Sequence, residues 1–163
     1  MSKARCKVAL VGCGRISGQH LAAFAELAHE CKLTAVCDCL PERAVAAAGD
    51  TGAAVFTDYD RMLAEADCDL VAIATPSGMH PEMGIKAARS GRHVVTEKPM
   101  AIDLPGADAL IQTCDRHRVQ LFVVKQNRLN TTMQLLKRAV DKGRFGRIYA
   151  GHVNVFWQRP QSY

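Results

Sequence analysis

The fold is decided by residues 8–17, VALVGCGRIS. A short strand is predicted over Lys7–Val11, because this mostly apolar run stops abruptly at Gly12. A helical pattern begins near Gly14, with apolar residues following at helical spacing. The stretch therefore predicts a strand that feeds a helix through a glycine turn.

The same alternation of strand and helix continues along the chain. Several of the short apolar runs are apolar on both faces, as strands covered by helices in a parallel sheet must be. Repeated strand and helix units predict an α/β fold, a Rossmann-type doubly wound parallel sheet that ends near residue 125. Further strands are predicted over 33–37, 53–56, 70–74, 93–96 and 120–124, and further helices over 41–48, 59–66, 80–89 and 110–116.

The pattern changes after residue 125. An amphipathic helix is predicted over Thr131–Lys142, with Gly143 as its end. Alternating residues over Ile148–Trp157 predict a strand of an antiparallel sheet. We therefore expect one domain over 1–125 and, over 126–163, the first helix and strand of a truncated second α/β domain that serves substrate binding and oligomerisation.

Composition narrows the class of protein. A chain of 163 residues with 48% hydrophobic and 23% charged residues is typical of one globular domain. Its apolar runs are too short to cross a bilayer, so no membrane association is expected. The net charge of +5 (21 basic minus 16 acidic residues) only weakly favours anionic partners. The basic residues are scattered with few aromatic residues among them, so we expect no nucleic-acid partner.

The cysteines and histidines indicate neither disulfides nor a metal. The seven cysteines form no CxxC pair, and an odd number without a secretory leader favours reduced thiols in the cytoplasm. The six histidines show no HxxxH spacing and no nearby cysteine pair. No metal site is assigned.

The glycine turn resembles the fingerprint that binds dinucleotides. Gly12 permits the tight turn, Gly14 lets a pyrophosphate approach the backbone, and the following helix offers free N–H groups. Ser17 stands where the fingerprint usually has its third glycine. An ordinary glycine turn between two elements is the alternative.

Asp38 adds weight to the dinucleotide interpretation. It ends the second predicted strand 24 residues after Gly14 (38 minus 14), near the spacing expected for a carboxylate that binds the adenosine ribose. A ribose 2′-phosphate would meet a like charge there, so NAD is preferred over NADP. The alternative role for Asp38 is a helix cap before Pro41.

Two further segments follow the fourth and fifth predicted strands, ATPSGMH at 74–80 and EKP at 97–99. Ligands of open α/β sheets bind beyond the carboxyl ends of the strands, so both segments can reach the cleft of the glycine turn. Together with VGCGRISGQH at 11–20, they make the whole chain similar to the glucose-fructose oxidoreductase, inositol dehydrogenase and MocA family. Segments 124–128, 143–146 and 156–159 most resemble the bacterial members that oxidise the 3-hydroxyl of UDP-N-acetylglucosaminuronic acid.

The resemblance implies a role for each residue that matches the family's motifs. The amides of Gln126 and Asn127 would meet the nicotinamide or the sugar, with loop capping as the alternative. Lys98, otherwise an exposed lysine, would contact the reacting hydroxyl and tune proton transfer, and the bond between Lys98 and Pro99 is expected to be cis. The implied cofactor-binding residues are Gly12, Cys13, Gly14, Arg15 and Ile16 at the pyrophosphate, Asp38 at the ribose, Thr75, Pro76 and His80 at the middle of NAD, Glu97 and Lys98 beside the nicotinamide, and Gln126; the implied substrate residues are Lys98 and Asn127.

The implied reaction is NAD-dependent oxidation of a sugar hydroxyl to a ketone. The family's second domain usually supplies a histidine, in an Asp-x-x-x-His motif, that partners the lysine of EKP. No residue of this chain matches that histidine, so we expect the 163-residue form to bind NAD but not to turn over, and the full-length form to be a cytoplasmic homo-oligomer. The alternatives are a noncatalytic nucleotide-binding or assembly module, and a relative acting on inositol or another polyol.

Overall fold

The computed structural model describes residues 4–158, 160 and 161. The chain divides into two compact units, Met1–Val124 and Lys125–Tyr163.

The first unit contains one parallel sheet of six strands in the order β3-β2-β1-β4-β5-β6. This is the strand order of a dinucleotide-binding fold. The chain adds β2 and β3 on one side of β1, crosses back to place β4 on the other side of β1, and then continues outward through β5 and β6. The predicted doubly wound Rossmann-type sheet is thereby confirmed. The strands are β1 (Cys6–Val11), β2 (Cys31–Cys37), β3 (Ala54–Phe56), β4 (Leu70–Ile73), β5 (His93–Thr96) and β6 (Leu121–Val123).

Helices connect the strands. α3 is capped by Asp58, whose carboxylate accepts a hydrogen bond from the backbone N–H of Arg61 at 2.6 Å. α5 begins six residues earlier than the predicted start at 110, because Asp103 caps it through the N–H of Gly106 at 2.7 Å and Pro105 is tolerated in the first turn. The helices of this unit are α1 (Ser17–Glu26), α2 (Pro41–Ala48), α3 (Tyr59–Glu65), α4 (His80–Arg89) and α5 (Leu104–His117), with a 3₁₀ turn at Ser77–Met79.

A layer of helices covers each face of the sheet. Ala9 and Val11 of β1 belong to the core under α3, α4 and α5, whereas Val8 and Leu10 belong to the core under α1 and α2. All four side chains are at most 3% exposed. Burial on both faces is the physical reason why the central strands are apolar throughout.

The second unit contains a 3₁₀ turn, Gln126–Leu129, and α6, Thr131–Asp141, which confirms the predicted helix. The predicted strand over 148–157 is wrong, since these residues form no strand. In the described part of this unit there is no other strand with which its backbone could pair, and unpaired strands are not stable. Its large side chains are exposed, including Tyr149 at 95% and Phe156 at 91%. Arg159, part of the segment 156–159, lies outside the described residues.

None of the helices within the described residues is both long enough and apolar enough to cross a membrane.

Candidate functional site

The glycine turn leaves β1 at the carboxyl edge of the sheet. Gly12 has φ +85°, and its N–H donates to the carbonyl oxygen of Cys37 at 2.9 Å. A Cβ at this position would lie 2.7 Å from the backbone nitrogen of Thr75 and 2.8 Å from the carbonyl carbon of Ala74. The chain that leaves β4 therefore packs directly on Gly12, and only glycine fits there.

Gly14 differs from Gly12 in having open space beside it. A Cβ on Gly14 would meet no atom within 4 Å. Within the described residues, the N–H groups of Gly14 and Ile16 have no hydrogen-bond acceptor. The Ser17 hydroxyl closes the turn by donating to the Gly14 carbonyl at 2.6 Å, and α1 begins at this serine. A turn with free N–H groups, space and a helix N-terminus fits the pyrophosphate of a dinucleotide.

The Asp38 carboxylate joins the end of β2 to the glycine turn. One oxygen accepts the N–H of Cys13 at 2.7 Å, and the other accepts the N–H of Leu40 at 2.9 Å. Asp38 is 9% exposed. The N-cap of α2 is Leu40, so Asp38 stands two residues before the cap and orders the turn between β2 and α2. The Cys13 N–H is thus directed at the carboxylate of Asp38.

The thiols of Cys13 and Cys37 lie close to this carboxylate. Burial raises the pKa of the Cys13 thiol to about 11, with a further contribution from the charge of Asp38. Burial also raises the pKa of Cys37 to about 12. Cys39, by contrast, is exposed at the entrance to the same turn.

We expect iodoacetamide to alkylate Cys39 at about pH 8 much faster than Cys13 or Cys37. Only a thiolate reacts, and a thiol of pKa about 11 is roughly 0.1% ionised at that pH. Peptide mass spectrometry of a time course measures the order of labelling, and Cys39→Ser serves as the control that removes the fast event. Equal rates at Cys13 and Cys39 would contradict the burial of Cys13.

His80 connects the two segments that follow β4 and β5. Its Nδ1 lies 2.8 Å from the carbonyl oxygen of Pro99, and its Nε2 lies 2.8 Å from the carbonyl oxygen of Thr75. The ring is 1% exposed. Thr75 is half-buried and donates its hydroxyl to the sulfur of Met83 at 3.5 Å, whereas Pro76 is exposed. The buried His80 ring therefore contacts both segments that follow β4 and β5 at the carboxyl edge of the sheet.

The EKP segment follows β5 directly. Glu97 is 9% exposed, and one of its carboxylate oxygens accepts the N–H of Lys98 at 3.2 Å. The side chain of Lys98 is exposed, and the bond between Lys98 and Pro99 is cis, as predicted. A buried carboxylate thus stands next to an accessible ammonium at the carboxyl end of the sheet.

His20 completes this arrangement, and the sequence reasoning missed it. Its Nε2 lies 3.1 Å from the second carboxylate oxygen of Glu97, and both side chains are 12% exposed. The available signal was spacing: His20 follows the buried Ser17 by three residues in α1, which places both on one helix face.

Four further residues that were predicted for the site are exposed. Arg15 and Ile16 are exposed at the start of α1. Gln126 and Asn127 belong to the second unit, where they begin the 3₁₀ turn and are exposed. Among residues 4–158, 160 and 161, no group of three or more His, Cys, Asp or Glu side chains is placed to hold a metal ion.

A profile of the GFO_IDH_MocA family, described as an oxidoreductase family with an NAD-binding Rossmann fold, matches residues 6–125. Two solved structures are similar over nearly the whole chain. The WlbA dehydrogenase from Bordetella pertussis, in complex with NADH and UDP-GlcNAcA, is 49% identical with a TM-score of 0.95, and the match covers 98% of this chain and 49% of that one. The WlbA dehydrogenase from Chromobacterium violaceum, with the same two ligands, is 46% identical with a TM-score of 0.96, covering 100% of this chain and 47% of that one.

A curated relative points to the same family. The inositol 2-dehydrogenase of Rhizobium meliloti is 33% identical over 139 residues, which are 85% of this chain and 42% of the relative. The chain thus spans from about two fifths to half of the length of the proteins it matches. Because the profile covers most of the chain, this protein belongs to the glucose-fructose oxidoreductase, inositol dehydrogenase and MocA family and carries its NAD-binding Rossmann fold.

Proposed function

We propose that the whole protein oxidises the 3-hydroxyl of UDP-N-acetylglucosaminuronic acid to a ketone with NAD as the hydride acceptor. The observation that carries the proposal is the 46–49% identity to two dehydrogenases solved with NADH and UDP-GlcNAcA, against 33% for the inositol 2-dehydrogenase. The identity extends over both units of this chain.

The first unit offers groups for two parts of NAD, the pyrophosphate and the adenosine ribose. The free N–H groups of Gly14 and Ile16, at the start of α1, would hold the pyrophosphate. Asp38 would accept hydrogen bonds from the adenosine ribose through the lone pairs that its backbone donors leave unused. When bound, NAD supplies the hydride acceptor; the protein supplies distance and protonation.

Lys98 is the proposed catalytic residue. Its exposed Nζ would contact the reacting hydroxyl and, in the unprotonated amine form, would accept the hydroxyl proton. Glu97 lies behind it, with its carboxylate held by the Lys98 N–H and by His20.

Calorimetry tests the cofactor part with the 163-residue chain itself. We expect NAD⁺ to bind, because Gly14, Ile16 and Asp38 all belong to the first unit. Gly14→Val is the matched variant: it fills the open space of the turn and should abolish binding while leaving the circular dichroism spectrum unchanged. A folded wild-type chain that binds no NAD⁺ would refute the cofactor assignment.

The substrate part requires the whole protein. We expect NADH formation with UDP-N-acetylglucosaminuronic acid and at most a trace with myo-inositol, whereas the 163-residue chain should bind NAD⁺ without turnover. Faster turnover of inositol by the whole protein would favour the polyol alternative. A measurable rate with the 163-residue chain would contradict the proposal that it lacks essential catalytic groups.

Asp38→Ser is expected to shift cofactor preference toward NADP⁺. The wild-type carboxylate would repel a ribose 2′-phosphate, and removing one of two close charges lowers that repulsion by at least about 1.4 kcal/mol, or tenfold in the ratio of dissociation constants. Calorimetric titration with NAD⁺ and NADP⁺ measures the ratio. Serine removes the charge and the acceptor of the Cys13 N–H together, and an unchanged ratio would place the ribose elsewhere.

A further inference from the structure

Cys6 and Cys31 lie side by side at the amino ends of two neighbouring strands. They are the first residues of β1 and β2, and they are register partners in this parallel pair. The Cys6 N–H donates to the carbonyl oxygen of Glu30 at 2.9 Å, as expected where Cys31 lies directly opposite Cys6. Neighbouring strands are about 4.8 Å apart, and the Cα atoms of a disulfide are usually about 4.4–6.8 Å apart. The backbone therefore holds this pair at a separation that a disulfide can span.

The two side chains also share one face of the sheet. Both pack against the core under α1 and α2. Cys13 and Cys37 are close as well, with the Cys13 sulfur 3.7 Å from the Cys37 carbonyl oxygen, but their side chains belong to the cores on opposite faces. Cys68 belongs to the core on the face opposite to Cys6. Among the cysteines of the described chain, Cys6 and Cys31 are thus the pair that combines register with a common face.

We propose that Cys6 and Cys31 form a thiol–disulfide exchange site, at which a small disulfide such as oxidised glutathione converts the two thiols to an intramolecular disulfide. Both thiols are free in the structure, and both residues are partly exposed. Cys31 also lines a groove of about 280 Å³ between α1 and α2, together with Phe24 and Ala47. Cys31 is therefore the thiol that a small disulfide reaches first.

The exchange takes place in two steps. In the first, the Cys31 thiolate attacks one sulfur of the small disulfide, the S–S bond of that molecule breaks, and one small thiolate leaves. In the second, the Cys6 thiolate attacks the Cys31 sulfur of the mixed disulfide and releases the other small thiolate. Two protein thiols are oxidised and one small disulfide is reduced, and the two protons of the protein thiols pass to the two released thiolates.

The surroundings of the pair favour the disulfide over the two thiolates. Burial raises the pKa of both thiols. The charge of Asp69 raises the pKa of Cys6 further, and the charge of Glu30 does so at Cys31, where Arg5 acts in the opposite direction. A strongly oxidising disulfide owes that property to a stabilised reduced form, which raised thiol pKa values do not provide. We therefore expect the exchange to be slow and its product to persist.

Exchange with excess oxidised glutathione at about pH 8 tests the proposal. The chain to use is the 163-residue chain with Cys39→Ser, since Cys39 is exposed and would otherwise react first. We expect each chain to lose two thiols, counted after denaturation, and peptide mass spectrometry to show Cys6 linked to Cys31. A linkage between any other pair, glutathione that remains on Cys31, or an unchanged thiol count after prolonged exchange would overturn the proposal.

Cys6→Ser and Cys68→Ser, each added to the Cys39→Ser chain, form a matched pair. Cys6→Ser removes the thiol that completes the exchange, so the reaction should stop with glutathione bound to Cys31. Cys68→Ser removes a thiol on the opposite face and should still give the intramolecular disulfide. An intramolecular disulfide of Cys31 in the Cys6→Ser chain would overturn the assignment of the pair.

Thermal unfolding shows whether the folded chain accommodates the bond. A disulfide between residues 6 and 31 closes the segment from β1 through α1 to β2 and restricts the unfolded chain. We expect the oxidised Cys39→Ser chain to have a Tm at least about 5 °C above that of the same chain reduced with dithiothreitol. A Tm lowered by oxidation would show that the folded chain does not hold the two thiols at bonding distance.

Discussion

Gly12→Ala is expected to lower the free energy of unfolding of the first unit by about 2–4 kcal/mol. Alanine at φ +85° is strained, and its Cβ would meet the backbone of Thr75 at 2.7 Å and of Ala74 at 2.8 Å, neither of which can move as a side chain could. Urea unfolding followed by circular dichroism measures the change. The effect is large because the stability of a whole domain is only about 5–15 kcal/mol.

Gly14→Ala is the matched control for this experiment. Gly14 has no atom within 4 Å of a Cβ and no positive φ, so its stability should change by less than about 0.5 kcal/mol. Its NAD⁺ affinity should nevertheless fall, because the new methyl group enters the space proposed for the pyrophosphate. Equal stability of the two variants would show that the close approach of the segment after β4 to the glycine turn is wrong.

Lys98→Met in the whole protein is expected to lower kcat by about 10²- to 10⁴-fold, the usual contribution of a positioned proton-transfer group. The NAD⁺ dissociation constant should change by less than about threefold, since the proposed pyrophosphate and ribose contacts lie elsewhere. Pre-steady-state NADH formation and calorimetry measure the two quantities separately. A fall in affinity with kcat unchanged would make Lys98 a binding residue only.

Two variants sharpen the test of Lys98. Lys98→Arg keeps the positive charge but cannot give up its proton, so it should stay nearly as slow as Lys98→Met. Lys32→Met removes an exposed lysine from the amino end of β2 and should keep wild-type kcat. Full activity of Lys98→Arg would show that charge, and not proton transfer, is the contribution of Lys98.

Most strands and helices of the first unit follow from local pattern. β5 and α2 have their predicted bounds, because an apolar run or an amphipathic run is closed by glycine or proline at each. The start of α5 could not be predicted from the local sequence pattern. Pro105 and Gly106 look like a turn in sequence, and only the position of the Asp103 carboxylate shows that they form the first turn of a helix.

The strand predicted over 148–157 failed for a different reason. Alternation of residues describes which faces a strand could present, but a strand exists only when another backbone pairs with it. The described second unit provides no such partner. The helix α6 formed as predicted because its hydrogen bonds lie within one segment.

The sequence by itself determined the order of strands and helices, the glycine turn and the acidic residue that follows β2, because these depend on local periodicity and on fixed spacing along the chain. Only the tertiary structure decided the partners of the polar groups. The bonds of Asp38 to Cys13, of His20 to Glu97 and of His80 to Pro99 close over chain separations from 19 to 77 residues. Such bonds depend on how the ends of β1, β2, β4 and β5 come together at one edge of the sheet, which no local pattern encodes.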